Sequence, residues 1–314
     1  MFKNRLEKNQ RRLKAWRVRE GVTCYRAYDR DIPEIPLVVD VYEDEYGACW
    51  LHVSAYAPRH GGGSAYRALA QELTQVAAEA LSIPPDRCVL KEREVVAGGT
   101  LLGKEAEIAG ADAASFTVRE GGARFHVELR GHLDTGLFLD HRKMRRLVAD
   151  AARGQRLLNL FAYTAAFSVC AGVQGARATT SVDLSPTYCA WAERNLRDNG
   201  LRAPEHIVVE KDVFSFLEDS RERWDLAVLD PPSVSRSRRA HRDLDVQRDH
   251  TWLIQRTLDR LEPGGVIYFS TNLRGFRLDT IDDVTTDEIT AQTISADFPA
   301  QPPPHRAWRV QSSR

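Results

Sequence analysis

The sequence predicts an α/β protein in two domains, a Rossmann-like doubly wound sheet preceded by a smaller N-terminal α/β domain. Three observations carry this. From about Gly131 onward, short apolar runs alternate with helical segments, the pattern of a mostly parallel sheet. One run, Leu226-Ala227-Val228-Leu229, is continuously apolar and stops at Asp230-Pro231-Pro232-Ser233. A strand buried on both faces reads this way, and two prolines cannot continue its ladder. At 314 residues the chain is also long for one domain. The expected division is 1–130 and 131–314.

The N-terminal part opens on a helix. Phe2, Leu6, Leu13 and Trp16 share one narrow stripe at helical spacing. Lys3, Arg5, Lys8, Arg11, Arg12, Lys14, Arg17 and Arg19 fill the rest, against only Glu7 and Glu20. A solvated face needs fewer cations, so Lys8, Arg11, Arg12 and Lys14 are expected to contact an RNA backbone. Leu37–Tyr42 and Ala48–Val53 read as a hairpin around Glu43–Gly47. Gly61-Gly62-Gly63 is a flexible break, and Tyr66–Leu81 a helix ended by Pro84 and Pro85. Phe116–Arg119 and Arg124–Leu129 form a second hairpin at Gly121-Gly122. No catalytic constellation stands out in this half.

Composition narrows the class. Hydrophobic residues make up 43% and charged residues 28%, a soluble globular balance. With 44 basic and 44 acidic side chains the formal charge is zero, so affinity for nucleic acid must come from local asymmetry. No stretch approaches a membrane span, and the N-terminus lacks an apolar signal core. The five cysteines form no C-x-x-C pair and no cluster with histidine. That pattern fits a reducing cytoplasm without disulfides or bound metal.

In the C-terminal part the expected strands are Arg156–Phe161, Thr179–Asp183, His206–Glu210, Asp225–Asp230 and Gly265–Ser270. The helix after the second is delimited by Ser185 as N-cap, Pro186 in its first turn and Asn199-Gly200 as its stop. In such sheets ligands bind at the carboxyl ends of the strands. There the chain offers Asn159-Leu160-Phe161-Ala162-Tyr163-Thr164, then Asp183-Leu184-Ser185, then Asp212-Val213, then Asp230. Asp183 stands where a carboxylate holds ribose hydroxyls, and Asp212 where one meets an adenine amine. Each acid alone reads as a cap or turn residue. Three acids at successive strand ends, the last opening a D-P-P run, point to S-adenosylmethionine and base methylation. The competing nicotinamide reading lacks its G-x-G-x-x-G.

Longer motifs then carry a resemblance. They are Leu133-Asp134-Thr135-Gly136-Leu137-Phe138-Leu139-Asp140-His141-Arg142, the Asn159–Thr164 turn, Thr180–Ser185, Trp191–Leu196, Asp245–His250 and Phe269–Phe276. Together with Phe2–Leu6 and Cys24-Tyr25-Arg26 they resemble the RlmK-type methyltransferases, the C-terminal half of the fused bacterial RlmL protein, over essentially the whole chain. The resemblance implies S-adenosylmethionine-dependent methylation of guanine N7 in large-subunit (23S) ribosomal RNA by a class I methyltransferase fold. It adds Thr135, Phe138, Asp140 and Arg142 to the cofactor-contacting residues. It also implies either a free-standing enzyme or an excised half, working beside a separate or fused guanine-N2 methyltransferase half. One departure stands out: the family usually has Thr-Gly where this chain has Thr164-Ala165. A backbone with φ > 0 there would disfavour alanine.

The residues constrain the reaction further. Pyrimidine C5 enzymes need a thiol near the fourth or fifth strand end, and neither Asp230–Ser233 nor Ser270-Thr271-Asn272 supplies one. Amine-methylating enzymes usually place Tyr or Phe after the two prolines; this chain has Ser233, forgoing a stack worth roughly 1–3 kcal/mol. Asp230, with Pro231 and Pro232, is the expected catalytic centre. Its carboxylate would accept from guanine N1–H and the exocyclic amine, the target being flipped out or already unpaired. Arg236, Arg238, Arg239 and Arg242 follow in one loop and are expected to clamp phosphate. The alternatives are methylation of another RNA base, and an RNA-binding or assembly protein with weakened catalysis.

Overall fold

The computed structural model describes residues 1–56, 63–95, 101–105, 114–132, 134–236, 239 and 241–313. Gly61, Gly62, Leu133 and Arg238 lie outside the described residues. Two compact units form: Met1–Leu139 with Ala296–Pro299, and Asp140–Ser295 with Ala300–Arg314. The division thus falls at Leu139 and not after Arg130, because the intervening residues are tied into the first unit. Lys91 Nζ donates to the His132 carbonyl, Arg93 pairs with Asp134 at 3.2 Å, and the Tyr42 and Thr135 hydroxyls hydrogen-bond at 2.8 Å.

In the N-terminal unit, helix α1 (Phe2–Glu20) ends on Gly21, whose φ of +62° makes the left-handed cap. Phe2, Leu6 and Leu13 are buried as the stripe predicts, and Asn9 is buried with them. Asn9 lies in the same stripe and donates to the Ala27 carbonyl (3.0 Å) and to Asp31 (2.8 Å). The strands are β1 (Tyr25–Asp29), β2 (Leu37–Glu43), β3 (Cys49–Tyr56), β4 (Cys88–Val95) and β5 (Leu101–Glu105), in spatial order. Helix α2 (Ser64–Leu81) crosses between β3 and β4, which therefore run parallel. Strands β6 (Ser115–Glu120) and β7 (Ala123–Glu128) make a separate hairpin. Val39, Val41, Leu51 and Val53 form one core with Leu6, Leu13, Ala70 and Ala77 of the two helices.

The C-terminal unit contains α3 (Arg142–Ala151), β8 (Arg156–Leu160), α4 (Ala166–Val173), β9 (Ala178–Asp183), α5 (Pro186–Asp198), β10 (His206–Glu210), α6 (Val213–Asp219) and β11 (Trp224–Leu229). It continues through the short β12 (Val234–Ser235) and β13 (Leu244–Asp245), α7 (Val246–Leu258), β14 (Leu261–Thr271), β15 (Val284–Glu288), α8 (Thr290–Thr293) and β16 (Arg306–Ser312). Among the described residues the main sheet has the order β10-β9-β8-β11-β14-β16-β15. Its first five strands are parallel, and the last two pairings are antiparallel. This is a doubly wound sheet whose direction of winding reverses between β8 and β11. Leu158, Leu160, Ala227, Leu229 and Phe269 are fully buried at its centre. Among the described residues, no helix is long and apolar enough to cross a membrane.

Candidate functional site

Strand register builds the site. Leu160 pairs with Val182 on one side and Leu229 on the other, and Leu229 pairs with Phe269. The next residue of each strand therefore lies in one row along the carboxyl edge: Asp183, Phe161, Asp230 and Ser270. The reversal point between β8 and β11 sits in the middle of that row, where open α/β sheets bind ligands.

The left half of the row is a strained loop. Phe161, Tyr163 and Ala165 have φ of +56°, +51° and +60°. A left-handed conformation costs an L-residue roughly 1–2 kcal/mol, and strain of this kind gathers at binding sites. Three anchors hold the loop. Asp183 Oδ2 accepts from the Tyr163 amide at 2.8 Å, Asn195 Nδ2 on α5 donates to the Thr164 carbonyl at 3.0 Å, and the Ala165 amide reaches Ala162 O at 2.8 Å. Ala165 thus occupies the left-handed position that favours glycine. Asp183 Oδ1 accepts from the Ser185 amide at 2.9 Å. Burial raises the Asp183 pKa, against the opposing amides of Ser185, Tyr163 and Leu184. Leu184 and Ser185 continue this edge, with Ser185 capping α5 by accepting from Tyr188 N. Asp212 caps α6, accepting from the Ser215 amide at 3.1 Å and its hydroxyl at 3.3 Å, while Val213 is buried.

The right half is ionic. Ser270 Oγ donates to Asp230 Oδ1 at 2.5 Å. His141 Nε2 lies 3.5 Å from Asp230 Oδ2, and its Nδ1 lies 3.3 Å from Asp140. His305 Nδ1 is 3.1 Å from the same Asp140 oxygen, and the two imidazoles stack with centroids 4.2 Å apart. Burial opposes charge on His141, but Asp230 and then Asp140 outweigh it and raise its pKa to about 10. Burial likewise works against the Asp230 carboxylate, yet His141 and Ser270 hold it below its ordinary value. Pro231 is buried and Pro232 exposed beside it. Asp140, His141 and His305 offer donor atoms within 4.8 Å of one another. Asp140 lies 3.3 Å from His141 and 3.1 Å from His305, so the set reads as an ion-paired cluster.

Other sequence-derived residues are placed differently. Asn159 is buried and donates to Ser168 Oγ at 3.0 Å, inside the core. Thr135 is buried in the N-terminal unit, bonded to Tyr42, and Phe138 of that unit is 42% exposed. Arg142 begins α3 and donates to Ser295 Oγ at 3.1 Å. Asp140 is committed to the two histidines. Lys8, Arg11, Arg12 and Lys14 are exposed on α1, although Arg12 also donates to the Ala296 carbonyl at 2.8 Å. In the basic loop Arg236 is exposed, but Arg239 pairs with Glu210 at 2.5 Å. Arg242 covers the Phe214 ring at 4.0 Å and lies 3.6 Å from Asp249. Sequence reasoning missed His141 as a partner of Asp230 and Asn195 as an anchor of the loop, although both lie in motifs that carry the resemblance, and it missed His305 altogether. Only Ser270 carried a local signal, one residue beyond the strand pairing of Asp230.

A strained turn after the first strand, an acid ending the second and an acid with two prolines after the fourth define a nucleoside-dependent transferase edge. The chain belongs to the S-adenosylmethionine-dependent methyltransferase family, whose model matches residues 65–302. Among curated proteins it is 45% identical over 314 residues to the ribosomal RNA large subunit methyltransferase K/L of Pseudomonas putida strain GB-1, covering 99% of this chain and 42% of that protein. The protein of the same name from Allochromatium vinosum is 43% identical over 316 residues, with the same coverage. The chain thus spans about two fifths of the length of these relatives. A solved structure described as a SAM-dependent methyltransferase from Streptococcus mutans has the same fold. Its TM-score is 0.75 at 24% identity, covering 98% of this chain and 80% of that one.

S-adenosylmethionine is therefore the cofactor, and the edge fits it. Asp183 accepts backbone amides from Tyr163, Ser185 and Leu184, and with about four acceptor positions on an ionised carboxylate it keeps room for a further donor.

Proposed function

We propose that this chain methylates guanine N7 in large-subunit ribosomal RNA, as a cytoplasmic enzyme acting on a flipped or unpaired nucleotide. The observation that carries the reading is Asp230, a half-buried carboxylate at the carboxyl edge of the sheet with Ser270 and His141 on its two oxygens. The printed name of the 45% identical relatives supports the RNA substrate. On this reading the rest of those longer relatives supplies the guanine-N2 methyltransferase half, fused or separate.

When bound, the cofactor supplies an electrophilic sulfonium methyl. The chain's own residues position and neutralise. Asp183 would take the ribose hydroxyls, the loop 161–165 would present its backbone to the cofactor, and Asp212 and Val213 would border the adenine. Asp230 accepts from guanine N1–H and the exocyclic amine, turning N7 toward the methyl. The N7 lone pair lies in the ring plane, so no residue removes a proton. Alignment and stabilisation of the cationic product then account for the rate. The exposed cations of α1, with Arg236, hold phosphates.

The test is transfer of labelled methyl to unmodified large-subunit ribosomal RNA, followed by digestion to nucleosides. The expected product is 7-methylguanosine. N2-methylguanosine would move the chain to the amine-methylating class, and cofactor binding without any transfer would favour an assembly protein. RNA affinity should fall steeply with salt. Neutralising Arg11, Arg12 and Lys14 should lessen the slope by roughly 0.7–0.9 per cation; an unchanged slope would make α1 a solvated face only.

A further inference from the structure

We propose that His141 is the positioning residue that keeps Asp230 a two-acceptor carboxylate, and that this charge state is what makes the base site choose guanine over adenine. The inference rests on the reading of Asp230 as the residue that holds the base edge.

The argument begins with hydrogen-bond polarity. Guanine presents two donors side by side, N1–H and the exocyclic amine; adenine presents an acceptor at N1 beside its donor amine. An ionised carboxylate accepts twice and fits guanine. A protonated carboxyl donates once and accepts once, which fits adenine equally well. Specificity therefore turns on one proton. Asp230 is half-buried at the strand end, and a partly desolvated carboxyl with no cation beside it is pushed toward taking up a proton. His141 is the cation beside it, 3.5 Å from Oδ2. Ser270 adds a donor to Oδ1. With about four acceptor positions on the carboxylate, these two contacts leave one on each oxygen for the base.

The groups facing His141 come from four elements. Asp140 precedes it in the turn before α3, Asp230 follows β11, His305 precedes β16, and Phe167 of α4 meets its ring edge-on at 5.9 Å. Two carboxylates thus share one imidazolium. The second imidazole stays neutral: burial, and then the charge on His141, lower the His305 pKa. A neutral His305 can give its Nδ1–H to Asp140 (3.1 Å), with Nε2 lying 3.0 Å from Thr293 Oγ1. Asp140 and His305 then serve to orient the His141 ring, while its Nε2–H faces Asp230. Because the His141 pKa is about 10, the arrangement holds throughout the neutral range.

Two measurements test this. Nitrogen-15 NMR of the full wild-type chain, with the His141 ring signals assigned by their loss in His141→Gln, should show both ring nitrogens protonated at pH 8. A neutral ring there would overturn the proposal, and this result needs no activity from any variant. The second is the pH profile of single-turnover methyl transfer. The wild-type rate should be flat between about pH 6 and 9, whereas His141→Gln should lose about tenfold per pH unit once Asp230 begins to take up its proton and recover as pH rises. A merely structural role would lower the rate in parallel at every pH, and that outcome would overturn the proposal. Asp230→Asn separates the two levels. If it stays fully active, the reading of Asp230 fails and the inference falls with it. If it is inactive while His141→Gln keeps the wild-type profile, the inference alone fails.

Discussion

Asp183 and Asp230 end two parallel strands of one sheet at the same level, yet they are opposite electrically. Asp183 is satisfied by neutral backbone amides from its own turn and the neighbouring loop, and its pKa is raised by burial. Asp230 is satisfied by an imidazole and a hydroxyl brought from two other parts of the chain, and its pKa is lowered despite burial. On the proposed function the first would take neutral sugar hydroxyls, which need an acceptor in a fixed place. The second would take a paired-donor base edge, which needs the acceptor never to become a donor. What an acid does at a strand end is decided by its partners more than by the acid.

The largest expected effect breaks the right-hand member. Asp230→Asn keeps the shape but sets an amide donor against a donor edge. It should reduce turnover about 10²–10³-fold, the scale of one lost transition-state donor or acceptor, with calorimetric cofactor affinity near wild type. Equal losses of both would mean that Asp230 serves the cofactor instead. Next, Asp183→Ala should weaken S-adenosylmethionine binding by about 1.5–3 kcal/mol, as for hydrogen bonds to a charged group; unchanged affinity in calorimetry would detach Asp183 from the ribose.

A pH experiment sharpens the electrical contrast. His141 has a folded pKa near 10, above its ordinary value, so its stabilisation is fully present below about pH 6.5 and disappears as pH rises through the folded value. The stability advantage of wild type over His141→Gln should therefore shrink between about pH 7 and 10, by up to roughly 1.4 kcal/mol per pH unit. Asp183→Asn should leave the slope in that window unchanged. Denaturant melts at stepped pH would check both, and a pH-independent difference for His141→Gln would contradict the charge assignment. The smallest effect concerns the loop. Ala165→Gly relieves a left-handed alanine worth roughly 1–2 kcal/mol but loosens the unfolded chain by about 0.4–1 kcal/mol. A net gain of about 0–1.6 kcal/mol is expected in thermal melts. A clear loss would show that the fully buried Ala165 methyl packs more than its backbone strains.

The same contrast explains what the sequence disclosed. Asp183, its Ser185 cap and Pro186 are local, and their spacing alone delimits the turn and helix. Asp212 is local too, and its cap role is the ordinary meaning of an acid before a helix. Phe161 and Tyr163 offer no such warning: neither residue type announces a left-handed backbone, and only Asp183, Asn195 and the sheet hold them there. Ser270 had a local signal at its strand end, but His141 beside Asp230, and His305 behind it on Asp140, were illegible because they are distant. His305 precedes an antiparallel strand that apolar periodicity did not reveal, and His141 lies in a turn with no helical or strand pattern of its own. The basic loop misled in the other direction. Arg239 and Arg242 count as cations in the sequence, but one is paired with Glu210 and the other lies against Phe214.

The division of labour along the edge can be read in one measurement, the single-turnover methyl-transfer rate of both aspartate variants at saturating S-adenosylmethionine. If Asp183 holds the cofactor and Asp230 the base, excess cofactor restores Asp183→Ala to within about tenfold of wild type, while Asp230→Asn remains about 10²–10³-fold down. Restoration of both, or of neither, would contradict the assignment of separate ligands to the two strand ends.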